Sequence, residues 1–357
     1  MTRSIMWQYI DEEPNIIQAL LKSKEICSAA KQLSQYDSVC FIAHGSSYNA
    51  AVTVQDFFRR MTGLHTEVHT PSDFLYNRGL DDSSCKTIII AISQTGTSRG
   101  LLQAVVYARK QNLPVLGITA QADSPLEQYS IFTCHLCCGE ELSNAKTKGY
   151  TSTLCMLLLL AAETGVYKRH ITDEVRAAVI EEIKRSTDEM PDLRKQVCDV
   201  LTGSHFGKDM RALYALGTGM NFGTAMECQL KLMETECIPT AFNDIGEFSH
   251  GMHRSVSNQI SSIIIDHQFD HDDTITAWKF LSANGRESLL ITDDASIKDA
   301  QVIHIENMPL TQSILLATMA IQVISVFVPE LNGLDPNRPS HNELTDQMKT
   351  RVWGCNS

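Results

Sequence analysis

Positive charge is in short supply in this chain. Its 357 residues carry 30 Lys and Arg against 42 Asp and Glu, a formal net charge of −12. Nucleic-acid partners ordinarily require a basic face, so this balance argues against one. An anionic small molecule would have to be gripped by local donors, because no global positive field is available. Long apolar runs are lacking as well. The longest, residues 154–162, falls well short of the roughly 20 residues that cross a bilayer, which argues for a buried helix and against a membrane partner. The opening Met1-Thr2-Arg3-Ser4-Ile5 lacks the pattern of a secretory leader. The 11 cysteines are odd in number, and Cys40, Cys134 and Cys155 sit inside apolar runs, so a reducing, cytoplasmic setting is expected. Cys134-His135-Leu136-Cys137-Cys138 lies in a strand-like alternation with no second cysteine pair to complete four ligands. Structural cysteines, and no bound metal, are expected there.

What is present is a chain of ordinary globular composition, 43% hydrophobic and 20% charged, long enough for two domains. Residues 8–35 have helical periodicity. Strand signals then alternate with helical ones: strands at 39–43, 66–69, 86–93, 114–119 and 131–137, with helices between them and at 151–164. Such alternation predicts βαβ units and a parallel sheet. A long charged helix over 174–200 is the candidate bridge to a second series, with strands near 213–219, 262–265, 288–291 and 302–305 and a closing helix over 312–327. Ala43-His44-Gly45-Ser46-Ser47-Tyr48-Asn49-Ala50 and Leu216-Gly217-Thr218-Gly219-Met220-Asn221-Phe222-Gly223 both fall at strand-to-helix turns, which suggests an internal duplication of one α/β domain.

Three segments carry candidate chemistry. After the apolar run Thr87-Ile88-Ile89-Ile90-Ala91 comes Ile92-Ser93-Gln94-Thr95-Gly96-Thr97-Ser98, where a buried strand empties into a hydroxyl-rich turn that opens a helix. Unpaired amides at a helix N-terminus attract phosphate, and four hydroxyls add donors. A hydroxyl that merely caps the helix is the competing reading. No Gly-Lys-Ser/Thr follows, so this is not a Walker loop, and Gly217-x-Gly219-x-x-x-Gly223 misses the dinucleotide spacing. In the second segment, Glu227, Lys231 and Glu234 fall at i, i+4 and i+7, one helical stripe. It is either a functional stripe or a solvated salt-bridge face. In the third, Gly246-Glu247-Phe248-Ser249-His250-Gly251 places an imidazole in a glycine-flanked loop, suited to proton exchange near neutrality or simply solvated.

Taken together, His44-Gly45-Ser46-Ser47, Ser93-Gln94-Thr95-Gly96-Thr97-Ser98, Ala145-Lys146-Thr147-Lys148-Gly149, Lys231-Leu232-Met233-Glu234 and Gly246-Glu247-Phe248-Ser249-His250-Gly251 resemble, in order, the sugar isomerase (SIS) family in its tandem double-domain form. The resemblance runs from about residue 10 to about residue 340. It implies two flavodoxin-like three-layer domains, each a parallel sheet flanked by helices. The boundaries expected are 1–167, a linking helix 168–204, 205–330, and a tail 331–357 over the site. It also implies that Ser46, Ser47, Ser93, Gln94, Thr95 and Ser98 bind a sugar phosphate, with Asn144, Lys148 and Glu227 completing the substrate pocket. Glu234 would be the base moving a proton between carbons 1 and 2, Lys231 would stabilise the developing oxygen anion, and His250 would act on the ring oxygen from the other subunit of a homodimer or higher homo-oligomer.

Two departures from the family's glucosamine-6-phosphate synthase pattern shape the expected reaction. The sequence begins directly with the first sugar domain, so no ammonia from glutamine is expected. At the tail position where the synthase has a Schiff-base lysine, this chain has Leu344, with Lys349 out of register. Both favour a substrate that already carries nitrogen on carbon 1. The expectation is therefore a deglycase that splits a 6-phosphorylated Amadori compound (ketosamine 6-phosphate) into an aldose 6-phosphate and a free amine, without metal or redox cofactor. A phosphosugar aldose–ketose isomerase, an aminosugar-phosphate isomerase or deaminase, and a non-catalytic sugar-phosphate sensor are the alternatives.

Overall fold

A computed structural model describes residues 3–77, 86–267, 269–306 and 309–352. In chain order the elements begin with α1 (Ile5–Leu20), α2 (Lys24–Leu33), β1 (Ser38–Ala43), α3 (Gly45–Thr62), β2 (His65–His69), α4 (Pro71–Tyr76), β3 (Thr87–Ile92), α5 (Arg99–Lys110), β4 (Val115–Thr119), α6 (Pro125–Tyr129), β5 (Phe132–His135) and α7 (Lys148–Tyr167). There follow α8 (Asp173–Ser204), β6 (Ala212–Gly217), α9 (Met220–Glu236), β7 (Thr240–Asn243), α10 (Ile245–Phe248), a 3₁₀ turn Met252–Ser255, β8 (Ile260–Asp266), α11 (His271–Asn284), β9 (Glu287–Thr292), β10 (Val302–His304), α12 (Leu310–Leu331) and α13 (Asn342–Gln347).

The strands form two five-stranded sheets, ordered β2-β1-β3-β4-β5 and β10-β9-β8-β6-β7, and every pairing is parallel. Numbered within each module, both read 2-1-3-4-5, so the duplication suggested by the paired turns is a duplication of topology. Ala43–Ala50 and Leu216–Gly223 occupy the same place in the two modules, the passage from first strand to first helix. The chain separates into two compact units, one of residues 15–141, 149–181 and 339–357, the other of 1–14, 142–148 and 182–338. The dividing points fall inside α1 and α8. Each unit contains one sheet; the C-terminal segment packs in the unit of the first sheet and the N-terminal segment in the unit of the second.

The central strands are buried on both faces, as crossover helices on both sides require. β1 (SVCFIA) and β3 (TIIIAI) are buried at every position. Their alternation sorts side chains between the two layers. Cys40, Ile42, Ile89 and Ala91 pack with Leu101, Leu102, Ala104, Val105 and Ala108 of α5. Phe41 turns to the other face, where its ring meets Phe58 of α3 edge-on at 5.2 Å. In the second module Leu216, Ile264 and Leu290 pack with Trp278 and Leu281 of α11.

Several sequence expectations shift by local physics. The 8–35 helical stretch is two helices, broken by the turn at Leu21-Lys22-Ser23. Gly45-Ser46-Ser47 is the first turn of α3 and not a loop before it. The short α4 and α6 and the four-residue β7, half-buried at all four positions, have no periodicity long enough to read. The apolar run at 154–162 is the middle of α7; α7 and α12 are long and apolar enough to cross a membrane by length and composition, yet 94% and 83% of their apolar windows are buried within the protein, as core helices are.

Candidate functional site

In an open parallel sheet of order 2-1-3-4-5, the connections leaving the first and third strands go to opposite faces, and ligands sit in the crevice at the carboxyl ends of those two strands. In the first module those ends are Ala43 and Ile92, so His44–Ser47 and Ser93–Ser98 flank the crevice. Both turns run straight into helices, α3 and α5, whose first amides have no intrahelical acceptor. His44 and Ser98 are the N-cap residues, and neither side chain caps its helix. The capping explanation for Ser98 therefore fails, and the hydroxyl is directed elsewhere. Its Oγ lies 3.4 Å from Nδ1 of His44, so the two turns touch across the crevice. A Cβ at Gly100 would meet His44 Cε1 at 2.9 Å, so the ring lies against the first turn of α5 and a larger residue there would displace it. His44 is a site residue that the sequence presented within a motif but not as a ligand-contacting group. Desolvation holds its imidazole below the ordinary histidine range, so it is neutral at neutral pH.

The second turn is internally braced. Ser93 is buried, and Gly96 N donates to both its Oγ (3.1 Å) and its carbonyl (3.0 Å). Gly96 has φ +65°, and a Cβ would fall 2.3 Å from Ser124 Oγ, so no other residue fits. Thr95 and Thr97 share a hydroxyl–hydroxyl bond of 2.9 Å. Gln94, expected on the phosphate, sends its amide to Glu141 Oε2 at 3.0 Å instead, and Gly149 N donates to the same oxygen at 3.1 Å. Its role is to fix the turn. Ser46 and Ser47 are half-buried in the first turn of α3, where the resemblance put them. The C-terminal segment runs beside this turn: Arg99 N donates to the Thr350 carbonyl (3.0 Å) and Val352 N to the Thr97 carbonyl (2.9 Å).

The corresponding crevice of the second module has different chemistry. After β6 comes Gly217-Thr218-Gly219; a Cβ at Gly217 would meet Asn221 O at 2.6 Å, so close helix–strand packing explains that glycine. β8 ends on Asp266 and is followed by His267, both buried. Asp266 Oδ2 accepts from Thr292 Oγ1 at 2.6 Å and faces His271 Nδ1 at 2.9 Å, while His267 Nδ1 faces Asp293 Oδ2 at 2.9 Å. Carboxylates fill the place that hydroxyls take in the first module, which disfavours an anion there.

The charged stripe of α9 is not a solvated face. Glu227 and Lys231 are wholly buried, with Oε1 2.6 Å from Nζ, and Lys231 Nζ also donates to the Lys146 carbonyl. The two groups expected at a substrate, the Lys231 ammonium and the Glu227 carboxylate, face each other inside the protein. The pair fixes α9 against the 142–148 segment. Glu234, one turn further, is half-buried where α9 approaches its end. Arg338 holds that end, donating to the Thr235 and Glu236 carbonyls at 2.7 Å each, a clamp with no local sequence signal. Asn144 donates to the Asn337 and Arg338 carbonyls at 3.1 and 3.3 Å, and Lys148 pairs with Glu12 at 2.7 Å beside the Tyr9 ring.

His250 is exposed on the turn after α10, which Asp244 caps through Gly246 N at 2.8 Å. Its Nδ1 lies 3.1 Å from the Gly246 carbonyl. That carbonyl can only accept, so Nδ1 donates to it and Nε2 is the other ring nitrogen. Within this unit Glu234 and His250 stand at opposite edges of the sheet. α9 starts at the carboxyl end of β6 and runs back, so Glu234 lies toward the amino edge, whereas α10 and His250 follow the carboxyl end of β7. The four residues of β7 alone correspond to about 13 Å.

Two topologically matched parallel modules, of which one carries an uncharged amide-and-hydroxyl nest at its switch point, define a tandem α/β small-molecule-binding architecture. The chain belongs to the SIS domain family, which matches residues 32–163 and 208–326. It is 26% identical over 353 residues to the isomerizing glutamine–fructose-6-phosphate aminotransferase of Pseudomonas aeruginosa, covering 94% of this chain and 57% of that protein. It thus spans little more than half the length of that relative. Among solved structures, the C-terminal domain of glucosamine-fructose-6-phosphate aminotransferase from Francisella tularensis superposes with TM-score 0.86 at 22% identity, covering 94% of this chain and 98% of that one. Glucosamine-6-phosphate deaminase from Thermotoga maritima superposes with TM-score 0.76 at 19% identity, covering 95% and 98%. These likenesses establish the shared fold.

Two outcomes follow for this site. Lys231→Ala leaves a buried carboxylate without its cation and is expected to cost about 3–5 kcal/mol in urea unfolding, whereas the Glu227→Gln, Lys231→Met double variant recovers most of that loss; equal losses would mean the pair is not coupled. For His44, a folded-state pKa below the unfolded value means that protons oppose the apo fold as pH drops. An anion in the nest reverses that preference. Ring resonances of His44 followed by NMR are expected to titrate at higher pH with inorganic phosphate than without it; an unmoved titration would place the anion elsewhere.

Proposed function

We propose that this chain is a sugar-phosphate enzyme whose preferred reaction is the deglycation of a ketosamine 6-phosphate, carried out by a homodimer. The observation that carries the reading is the meeting of His44 and Ser98 across the first module's switch point, with uncapped helix N-termini on both sides. Such a nest holds a phosphoryl group through donors that bear no net charge, which suits a chain of net charge −12. The relatives named above are described by 6-phosphorylated sugars, which supports the same anchor here.

With the phosphate anchored, the carboxylate of Glu234 takes a proton from carbon 1 of the ketosamine, giving an enolamine with its double bond between carbons 1 and 2. The same carboxyl group returns the proton to carbon 2, and carbon 1 becomes an imine. Water adds to the imine and the amine leaves, giving the aldose 6-phosphate. His250 Nε2 exchanges the ring-opening proton. Lys231 and Glu227 act as positioning residues that fix the helix carrying Glu234. Leu344, an exposed residue of α13, cannot form the Schiff base that bringing ammonia to a ketose phosphate would use. This supports a substrate that brings its own nitrogen. A plain aldose–ketose isomerase or an aminosugar-phosphate deaminase is the second reading, favoured by the fact that the same carboxylate shuttle serves it without the amine.

The separation of Glu234 and His250 to opposite sheet edges supports a site assembled from two subunits. Incubation with a panel of 6-phosphorylated Amadori compounds and with fructose 6-phosphate, assayed for glucose 6-phosphate, is expected to give product from the former. Glu234→Gln is expected to abolish turnover while sugar-phosphate binding persists. Equal loss of both in a folded variant would remove Glu234 as the base, and retained turnover would do the same. Co-expression of Glu234→Gln with His250→Asn chains tests the dimer: mixed dimers are expected to regain about half of the wild-type activity, because one of their two sites is intact. A mixed dimer as inactive as its parents would assign both groups to one chain.

A further inference from the structure

We propose that Cys40, Glu67 and His69 form a site for a borderline-soft divalent metal ion of the zinc type, at the β1–β2 edge of the first sheet. Register places the three together. Cys40 pairs with Glu67 and Ile42 with His69, so alternation sends Cys40, Glu67 and His69 to the same face. One donor atom from each lies within 4.8 Å of the other two. A tetrahedral ion with bonds of about 2.0–2.3 Å would draw such donors to roughly 3.5 Å apart. The closure needed is within reach of side-chain rotation for Glu67 and His69.

The surroundings match a metal-binding imidazole. His69 Nδ1 is hydrogen-bonded to Asp73 Oδ2 in the first turn of α4, which leaves Nε2 as the lone-pair nitrogen. That Nε2 is buried and lies 3.4 Å from Glu67 Oε2. Asp73 is itself fixed, receiving Asn77 Nδ2 at 2.9 Å and placed by the Thr70 cap, whose Oγ1 accepts Asp73 N at 3.2 Å. Glu67 offers Oε2 inward, while its Oε1 lies 3.2 Å from His65 Nε2. His69 and Glu67 thus each have an outer partner that orients them. Cys40 is wholly buried, whereas the side chains of Glu67 and His69 keep 33% and 19% exposure, so an ion has a route in from the sheet edge.

The donor set of one sulfur, one nitrogen and one oxygen selects against magnesium and calcium, which take oxygen ligands, and in favour of zinc and its spectroscopic substitute cobalt. Three protein ligands leave a fourth position for water. Binding converts the Cys40 thiol to a thiolate and releases one proton. The ion would tie the edge strand to β1 at Cys40, four residues before His44, bracing the strand on which the first half of the anion nest is built. Without an ion, the same imidazole lies between the Glu67 and Asp73 carboxylates.

Cobalt(II) chloride added to protein stripped with EDTA is expected to give a near-ultraviolet thiolate-to-cobalt band and the visible absorption of a tetrahedral ion, saturating at one equivalent. Cys40→Ser is expected to abolish the thiolate band, and Cys137→Ser, at an exposed cysteine, to leave it intact. His69→Gln, at the sheet edge, is expected to weaken cobalt binding at least tenfold and provides the test if Cys40→Ser does not fold. The proposal is overturned by an absence of stoichiometric binding, by a thiolate band that survives Cys40→Ser, or by cobalt binding that His69→Gln leaves unchanged.

Discussion

The anion nest of the first module follows from a reversal of strand order in a parallel sheet. β1 and β3 lie side by side, yet the helices they feed leave for opposite faces. Right-handed crossovers permit no other route for adjacent parallel strands of this order. The chain therefore opens a crevice between Ala43 and Ile92, and helix N-termini flank it. Backbone geometry alone makes the crevice electropositive. What the side chains add is restraint: Ser98 leaves its helix uncapped, Gly96 permits a turn that no larger residue fits, and His44 bridges the two walls as a neutral ring. The second module repeats the topology without the chemistry, since Asp266, His267, His271 and Asp293 occupy the matching place. Duplication thus supplied two crevices, and the sequence differentiates them by charge.

The second half holds the proposed reactive groups, and burial sorts them. Glu227, Lys231 and Glu234 share a helical stripe, but the first two neutralise each other inside the protein and hold α9 in place, while the third emerges near the helix end. Arg338 secures that end by satisfying the last carbonyls. A half-buried carboxylate carried on a helix pinned at two points is suited to moving a proton over a short distance, because its position does not depend on a flexible loop. His250 is the opposite case, an exposed imidazole on a short capped turn.

The fold was legible in the sequence where signals are local. Alternating apolar runs such as Thr87-Ile88-Ile89-Ile90-Ala91, each followed by a turn and a helical period, identify buried parallel strands, and the matched turns at His44 and Gly217 revealed the duplication. β7 and the short helices α4 and α6 escaped, because four to six residues cannot display a period. Of the site, the hydroxyl-rich turn and the α9 stripe were legible as motifs. Their internal roles were not. That Gln94 clamps Glu141, that Lys231 is buried against Glu227, and that Asn144 and Lys148 are engaged in packing are consequences of contacts with residues 47, 4, 193 and 136 positions away. The same holds for Cys40, Glu67 and His69, whose proximity depends on strand register.

The account stands on an anion seated between the two turns of the first module. Its most direct measurement is the backbone amide NMR spectrum of the protein titrated with glucose 6-phosphate. The account predicts saturable shifts at Gly45, Ser46, Ser47 and at Gly96 through Leu101, with Gly217, Thr218 and Gly219 of the second module unmoved. Shifts centred on the second module's turn, or an unchanged first module at saturating ligand, would contradict it.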